Sequence, residues 1–297
     1  MAPIIPSADS CGGKVRAKEP ATRRARALIG WMAPAEARLA LAGRKLELKD
    51  RPEYAERVQN ARAAAALRKH PGSNPISEAP PLLKGHIRAM DEHPAIAQSF
   101  QQGWQVKLVD LNNVCPLQSY LMLNHPVFDR TASVHNDPLS LAELTTPVSG
   151  DTQIPFQFDA QKRAWILNST DFNLRIMAEQ QARLAPGIGT FGFVVGTAPP
   201  LLKIALHQGR YLIVDGTHRA YGLLRRGLCT VPCLFRAAPA WPGVESPTSL
   251  PVAALLGENP PLLSDFLSDE TSAEIRVPVT RRVLVIQATE FTMVEPE

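Results

Sequence analysis

Residues 211–235, YLIVDGTHRAYGLLRRGLCTVPCLF, admit very few folded forms. Tyr211 to Val214 is an apolar, β-rich run, and it stops at Asp215-Gly216, a turn-forming pair. Ala220, Leu223 and Leu224 then recur at helical spacing, with Thr217 placed to cap the first turn. Gly222 permits close packing, Arg225 and Arg226 stand at the negative end of the helix, and Gly227 is placed to stop it. The segment CTVPCLF returns as a strand. This grammar predicts strand, tight turn, short helix, strand. Only His218 and Arg219 exceed what a connection needs. They stand where backbone N–H groups lack intrahelical partners and the helix dipole favours an anion. A guanidinium there can grip two phosphate oxygens at once, and Asp215 can orient a side chain or hold a metal that bridges phosphates. The alternative is that Asp215 and Thr217 serve as turn and cap while His218 and Arg219 are solvated.

Around this stretch the same signals predict an α+β chain. PLLKIALHQGRYLIVDG reads as a hairpin turning near Gln208-Gly209, and WQVKLVDLNNV as a strand. Helices are expected over 22–48, with a start or kink at Pro34, and over 52–69, with Pro52 in the first turn. HIRAMDEHPAIAQSFQQG reads as a short helix cut at Pro94. DFNLRIMAEQQARLA reads as a helix with Leu174, Met177 and Ala178 on one face and Pro186-Gly187 as its stop. Short strands are expected at IPFQFD, AWILN and RRVLVIQATEF, and a helix over about 252–267. The 27 prolines exceed average usage, so irregular connections should be frequent, notably HPGSNPISEAPP and RAAPAWPGVESPTSLP.

Charge is unevenly spread. Residues 1–70 hold 15 Lys/Arg against 7 Asp/Glu, whereas the remainder holds 17 against 21. A basic first quarter on an acidic body suits an anionic partner, nucleic acid being the commonest, or equally a solubilising helical arm. Apolar runs such as FGFVVG and VLVIQA fall far short of the roughly 20 residues that cross a membrane. The first thirty residues lack the apolar segment of a secretory signal. Four scattered cysteines suit a reducing compartment, so a cytoplasmic protein is expected. Cys229 and Cys233 read as buried thiols. Gly187–Gly192 formally matches G-x-G-x-x-G, but a dinucleotide fingerprint needs a strand before it and a helix after it, and FVVGTAPP cannot be helical. His125, Asp129, His135 and Asp137 lie in one polar stretch and read as surface and capping residues ahead of a metal or acid–base site.

The stretch 211–235 resembles the signature segment of the ParB/sulfiredoxin-like superfamily, whose members carry a strand, a G-x-[HR]-R turn, an amphipathic helix, a glycine and a "tVP" strand. The preceding hairpin is similar to the one that leads into that segment. VKLVDLNNVCPLQSYL is similar to the family's earlier strand and its L-x-x-x-P-x-Q. The helix expected over 171–185 would match the one between them. The best match covers 201–235, and a looser one begins near 104. The resemblance implies a ParB/sulfiredoxin-like core over 99–238 with an insertion at about 124–168. Before it would come a basic arm (1–21) and a helical, basic region (22–98), and after it a helix-and-strand extension (239–297).

By the same resemblance Gly216, Thr217, His218 and Arg219 contact the phosphates of ATP or CTP, with Mg²⁺. Asp215 and Arg219 carry any hydrolysis of a nucleotide or phosphodiester, and Gln118 positions substrate. The basic region would meet DNA. Two departures narrow this. Thr217 stands where sulfiredoxins place their reactive cysteine, and a hydroxyl cannot replace that thiolate at neutral pH. ParB proteins of chromosomes carry a second arginine at the place of His218 and a following helix-turn-helix, which the Pro-rich stretch after 238 does not resemble. A non-catalytic scaffold or effector, or a small-molecule kinase using the same phosphate site, are the alternatives.

Overall fold

The computed structural model describes residues 21–43, 45–68, 72–148, 156–169, 174–197, 200–242, 248–279 and 282–287. From the amino end the chain forms strand β1 (Thr22–Ala27) and helices α1 (Pro34–Leu41) and α2 (Pro52–Ala66). Strand β2 (Ile76–Glu78), helices α3 (Lys84–Glu92) and α4 (Pro94–Gln101), and strands β3 (Gln105–Asp110), β4 (Cys115–Pro116) and β5 (Tyr120–Met122) follow. Helices α5 (Val127–Ser133) and α6 (Pro138–Thr145) precede two hairpins. These are β6 (Phe156–Asp159) with β7 (Ala164–Ser169), and β8 (Leu174–Ala185) with β9 (Ile188–Thr197). Then come β10 (Lys203–His207), β11 (Arg210–Asp215), α7 (Thr217–Leu224) and β12 (Thr230–Ala237). Helix α8 (Val252–Leu256) and strands β13 (Ala273–Pro278) and β14 (Arg282–Gln287) complete the α+β fold.

The central sheet is mixed, in the order β2-β3-β12-β10-β11-β4. β10 and β11 form the expected hairpin, turning through Gln208 and Gly209 with φ of 47° and 75°, the paired positive values that match strand twist in two-residue turns. β12 runs parallel to β10 from Leu234 onward and antiparallel to β3. Pro232, which has no N–H to give, lies ahead of the point where β12 gains β10 as a neighbour. A second sheet, β13-β1-β5, joins segments from the two ends and the middle of the chain. Between the sheets Leu28, Ile29, Leu212, Leu223 and Phe266 belong to one apolar core, and a smaller cluster around Met90, Ile96 and Trp104 sits beneath α3 and α4.

The helix expected over 22–48 is replaced by β1 followed by α1. In TRRARA, Ala25 and Ala27 are buried and Arg24 and Arg26, which alternate with them, are not, a period of two concealed by residue types that favour helices. The helix expected over 171–185 is β8. Pro186-Gly187 turns the chain, with Gly187 at φ 79°, and β9 pairs along almost the whole of β8. The expected helix over 252–267 is only α8 and a separate 3-10 turn at Leu263–Leu267, broken by Gly257 and by Pro260-Pro261. Helices α5 and α6 had no counterpart in the sequence reading. α2, the break at Pro94, β3, β6, β7 and β14 lie where the pattern put them. Among the described residues no helix is long and apolar enough to cross a membrane.

Several of the amino-terminal arginines are committed to partners within the chain. Arg24 forms a bidentate pair with Glu274 at 2.6 Å, Arg26 pairs with Asp269, and Arg68 pairs with the fully buried Asp265. Arg57 donates to the carbonyls of Asp269 and Ser272. The basic arm, residues 1–20 in particular, lies outside the described residues.

Candidate functional site

β11 delivers Asp215 to the edge of the central sheet, opposite Lys203 of β10. Gly216 follows at φ 87°, a left-handed value that a side chain tolerates poorly. Space forbids one as well. A Cβ at Gly216 would lie 3.0 Å from the Leu202 Cα and 3.3 Å from the Leu201 carbonyl. Gly216, not Thr217, is the N-cap of α7, and no side chain caps the helix. Thr217 is the first helical residue and is buried. The first intrahelical bond runs from Ala220 N–H to Gly216 O at 2.9 Å, so the amides of residues 217–219 stand ahead of it. At the far end Gly227 N–H bonds Leu224 O and Leu228 N–H bonds Leu223 O, the reciprocal closure expected of a glycine stop. Gly222 is needed for packing, because a Cβ there would lie 2.7 Å from Thr131 Oγ1 of α5.

His218 and Arg219 are neither solvated nor loose. Met122 N–H donates to His218 Nε2 at 2.9 Å, which places the ring proton on Nδ1. The ring stacks on His125 with centroids 4.3 Å apart. Burial, and then the neighbouring His125, push the His218 pKa down to about 3, so the imidazole is neutral at physiological pH. Arg219 is only 4% exposed. It donates through Nη1 to Pro200 O, while its Nε is buried without a partner. Burial, and then the Arg130 guanidinium, lower its pKa to about 10, with Asp215 acting the other way. It remains cationic.

β4 runs parallel to β11 with Pro116 beside Ile213, and just past it Gln118 forms an isolated antiparallel bridge with Ser249. Its Oε1 is buried without a partner. The fold therefore gathers Asp215, the uncapped start of α7 and Arg219 around one turn. Arg130, from α5, adds a second guanidinium, and His125 packs on His218. The sequence reading did not single out Arg130, since nothing in its spacing ties α5 to α7. Of the other polar candidates, Asp137 caps α6 through Leu139 and Ser140 N–H, Asp129 lies exposed in the first turn of α5, and His135 is exposed. Cys233 is fully buried, and burial raises its pKa strongly. Gly187–Gly192 lies in the β8–β9 hairpin, with a strand on each side.

Compared with protein families, curated proteins and solved structures, the chain matches none.

Proposed function

We propose that the turn between β11 and α7 binds the phosphates of a nucleoside triphosphate, ATP or CTP, in the manner of ParB/sulfiredoxin-like proteins, and that the protein acts on or beside DNA. The observation that carries the reading is Arg219: a buried, cationic guanidinium with an unsatisfied Nε, on the first turn of a helix whose leading amides no side chain caps. Gly216 and Thr217 present their backbone to the anion, and Arg130 adds positive charge nearby. His218 enters as a neutral group that holds the Met122 segment against α7. Asp215 is the carboxylate of the turn and is the residue that would hold a Mg²⁺ ion accompanying the nucleotide. When bound, that ion would neutralise phosphate charge. Hydrolysis of the nucleotide or of a phosphodiester belongs to the same proposal, with water as the nucleophile, Asp215 taking its proton and Arg219 neutralising charge on the phosphate. The DNA partner would meet basic residues such as Lys14, Arg16 and Lys18, because several arginines further on are committed to internal pairs.

A second reading has its own support. Both motif side chains are tied into the fold, His218 by Met122 N–H and Arg219 to Pro200 O, as in a scaffold that keeps the motif for packing alone. Thermal-shift titrations with ATP, CTP, GTP and ADP, each with and without Mg²⁺, separate the two. A ligand at a hundredfold its Kd should stabilise by about 2.7 kcal/mol. The shift should be largest for one triphosphate, shrink in Arg130→Ala and Gln118→Ala, and vanish in Arg219→Ala. No shift with any nucleotide would leave the scaffold reading.

A further inference from the structure

The β8–β9 hairpin stands apart from both cores. Among the described elements its principal contact beyond its own two strands is a small one with β14. No residue of the hairpin whose side chain is described is buried. Phe191 is 80% exposed, Leu184 68%, Ile188 56% and Phe193 46%. A two-stranded ribbon of this kind is at best marginally stable in water unless a further strand or a packing surface joins it.

The two edges of the ribbon are built differently. β8 carries Arg175, Glu179 and Arg183, and its register slips twice, at Met177 and at Leu184. Charge and bulges are the usual devices that keep an edge strand from pairing. β9, IGTFGFVVGT, has no charge, no proline and no register slip over ten residues. Among the described residues one edge is guarded and the other is open.

We infer that β9 is a self-association edge, and that its occupant is the β9 of a second copy of this chain, paired antiparallel. A two-fold axis at Gly192 sets Phe191 of one chain beside Phe193 of the other on a shared face, the cross-strand aromatic pairing that stabilises sheets. The hairpin's three charges leave a net charge of only about +1, so two copies meet with little repulsion and a polyanion finds little to hold. Pairing ten residues from each chain, with their aromatic rows, removes on the order of 1,000 Å² from water, about the threshold for a specific interface. The assembly closes as a dimer. Once β9 meets its copy, the outer edges of the four-stranded ribbon are the two guarded β8 strands, and neither accepts another chain.

Sedimentation velocity of the full chain across a hundredfold range of concentration tests this. The wild type should pass from monomer to dimer, and hydrogen exchange of the β9 amides should slow in the dimer. Phe191→Lys should sediment as a monomer, and its melting curve should match that of the wild type at concentrations where the wild type is monomeric, because no described side chain of the hairpin is buried. Adding Phe193→Glu to Phe191→Lys should recover the dimer, since the two-fold sets the introduced lysine against the introduced glutamate. A wild type that stays monomeric throughout overturns the inference, as does a dimer that Phe191→Lys leaves intact. A double variant that stays monomeric overturns the two-fold at Gly192. Pelleting of a monomeric wild type with phosphatidylcholine–phosphatidylglycerol vesicles would assign the open edge to a lipid surface and overturn the dimer.

Discussion

At the scale of single residues, position in sequence and state in the fold separate most clearly at His218. Sequence places an imidazole on a helix start, where a cation would help an anion bind. The fold makes it neutral by burying it against His125 and using its Nε2 to accept from Met122 N–H. Its pKa of about 3 lies below the ordinary 6.5, so between those values the unfolded chain binds a proton that the native chain does not. Stability should therefore be unaffected by this group above about pH 6.5 and fall as pH drops through the window, by up to ~1.4 kcal/mol per pH unit. His218→Gln keeps an acceptor for Met122 N–H and removes the titration. Urea midpoints at pH 7 and pH 4.5 should fall further in the wild type than in the variant, and an equal fall in both would free His218 of the effect. Arg219 shows the complementary case. Burial lowers its pKa without bringing it near neutrality, so charge at the turn survives through arginine and not through histidine.

Among the elements, α7 and β8 show opposite relations between pattern and outcome. α7 is short, and its limits are written in adjacent residues: Gly216 before it, Gly227 after it, an apolar stripe between. Its packing on α5 depends on one glycine. Gly222→Ala gains up to about 1 kcal/mol in helix propensity, but the added Cβ meets Thr131 Oγ1 at 2.7 Å and Phe128 Cδ1 at 3.0 Å. Overpacking of this kind costs about 1–3 kcal/mol, so the contact wins and a net loss of about 1–2 kcal/mol is expected by urea unfolding. Combining it with Thr131→Ala, which removes the nearest atoms, should make the two losses less than additive; strict additivity would place the strain elsewhere. In β8 the residues Leu174, Met177, Ala178, Gln180 and Gln181 favour a helix, yet the segment is extended. Helix preferences differ by only a few tenths of a kcal/mol per residue, whereas the Pro186-Gly187 turn brings an intrinsically strand-forming partner alongside at once.

For the whole molecule, the extremes of the chain are mutually dependent. β1 pairs with β13, which lies 250 residues away, and Arg24, Arg26 and Arg68 find their carboxylates in Glu274, Asp269 and Asp265. Phe266 is fully buried in the main core. A chain ending at residue 238 should therefore lose its cooperative thermal transition by circular dichroism, and retention of the full-length melt would show that the core stands without its extension. Local signals in the sequence suffice for the hairpin at Gln208-Gly209, the strand–turn–helix–strand of 211–235, helix α2 and the break at Pro94, but not for β8, whose helix-favouring residues conceal a hairpin closed by the very next strand. In the first four the deciding forces are local, a dihedral only glycine adopts easily, a missing amide in proline, and a stripe of apolar side chains. Only the packing of distant segments makes β1 a strand, leaves His218 neutral and Arg219 buried, and brings Arg130 near the turn. Strand pairing and desolvation are set by which distant segments come to lie alongside, and no window of neighbouring residues contains that information.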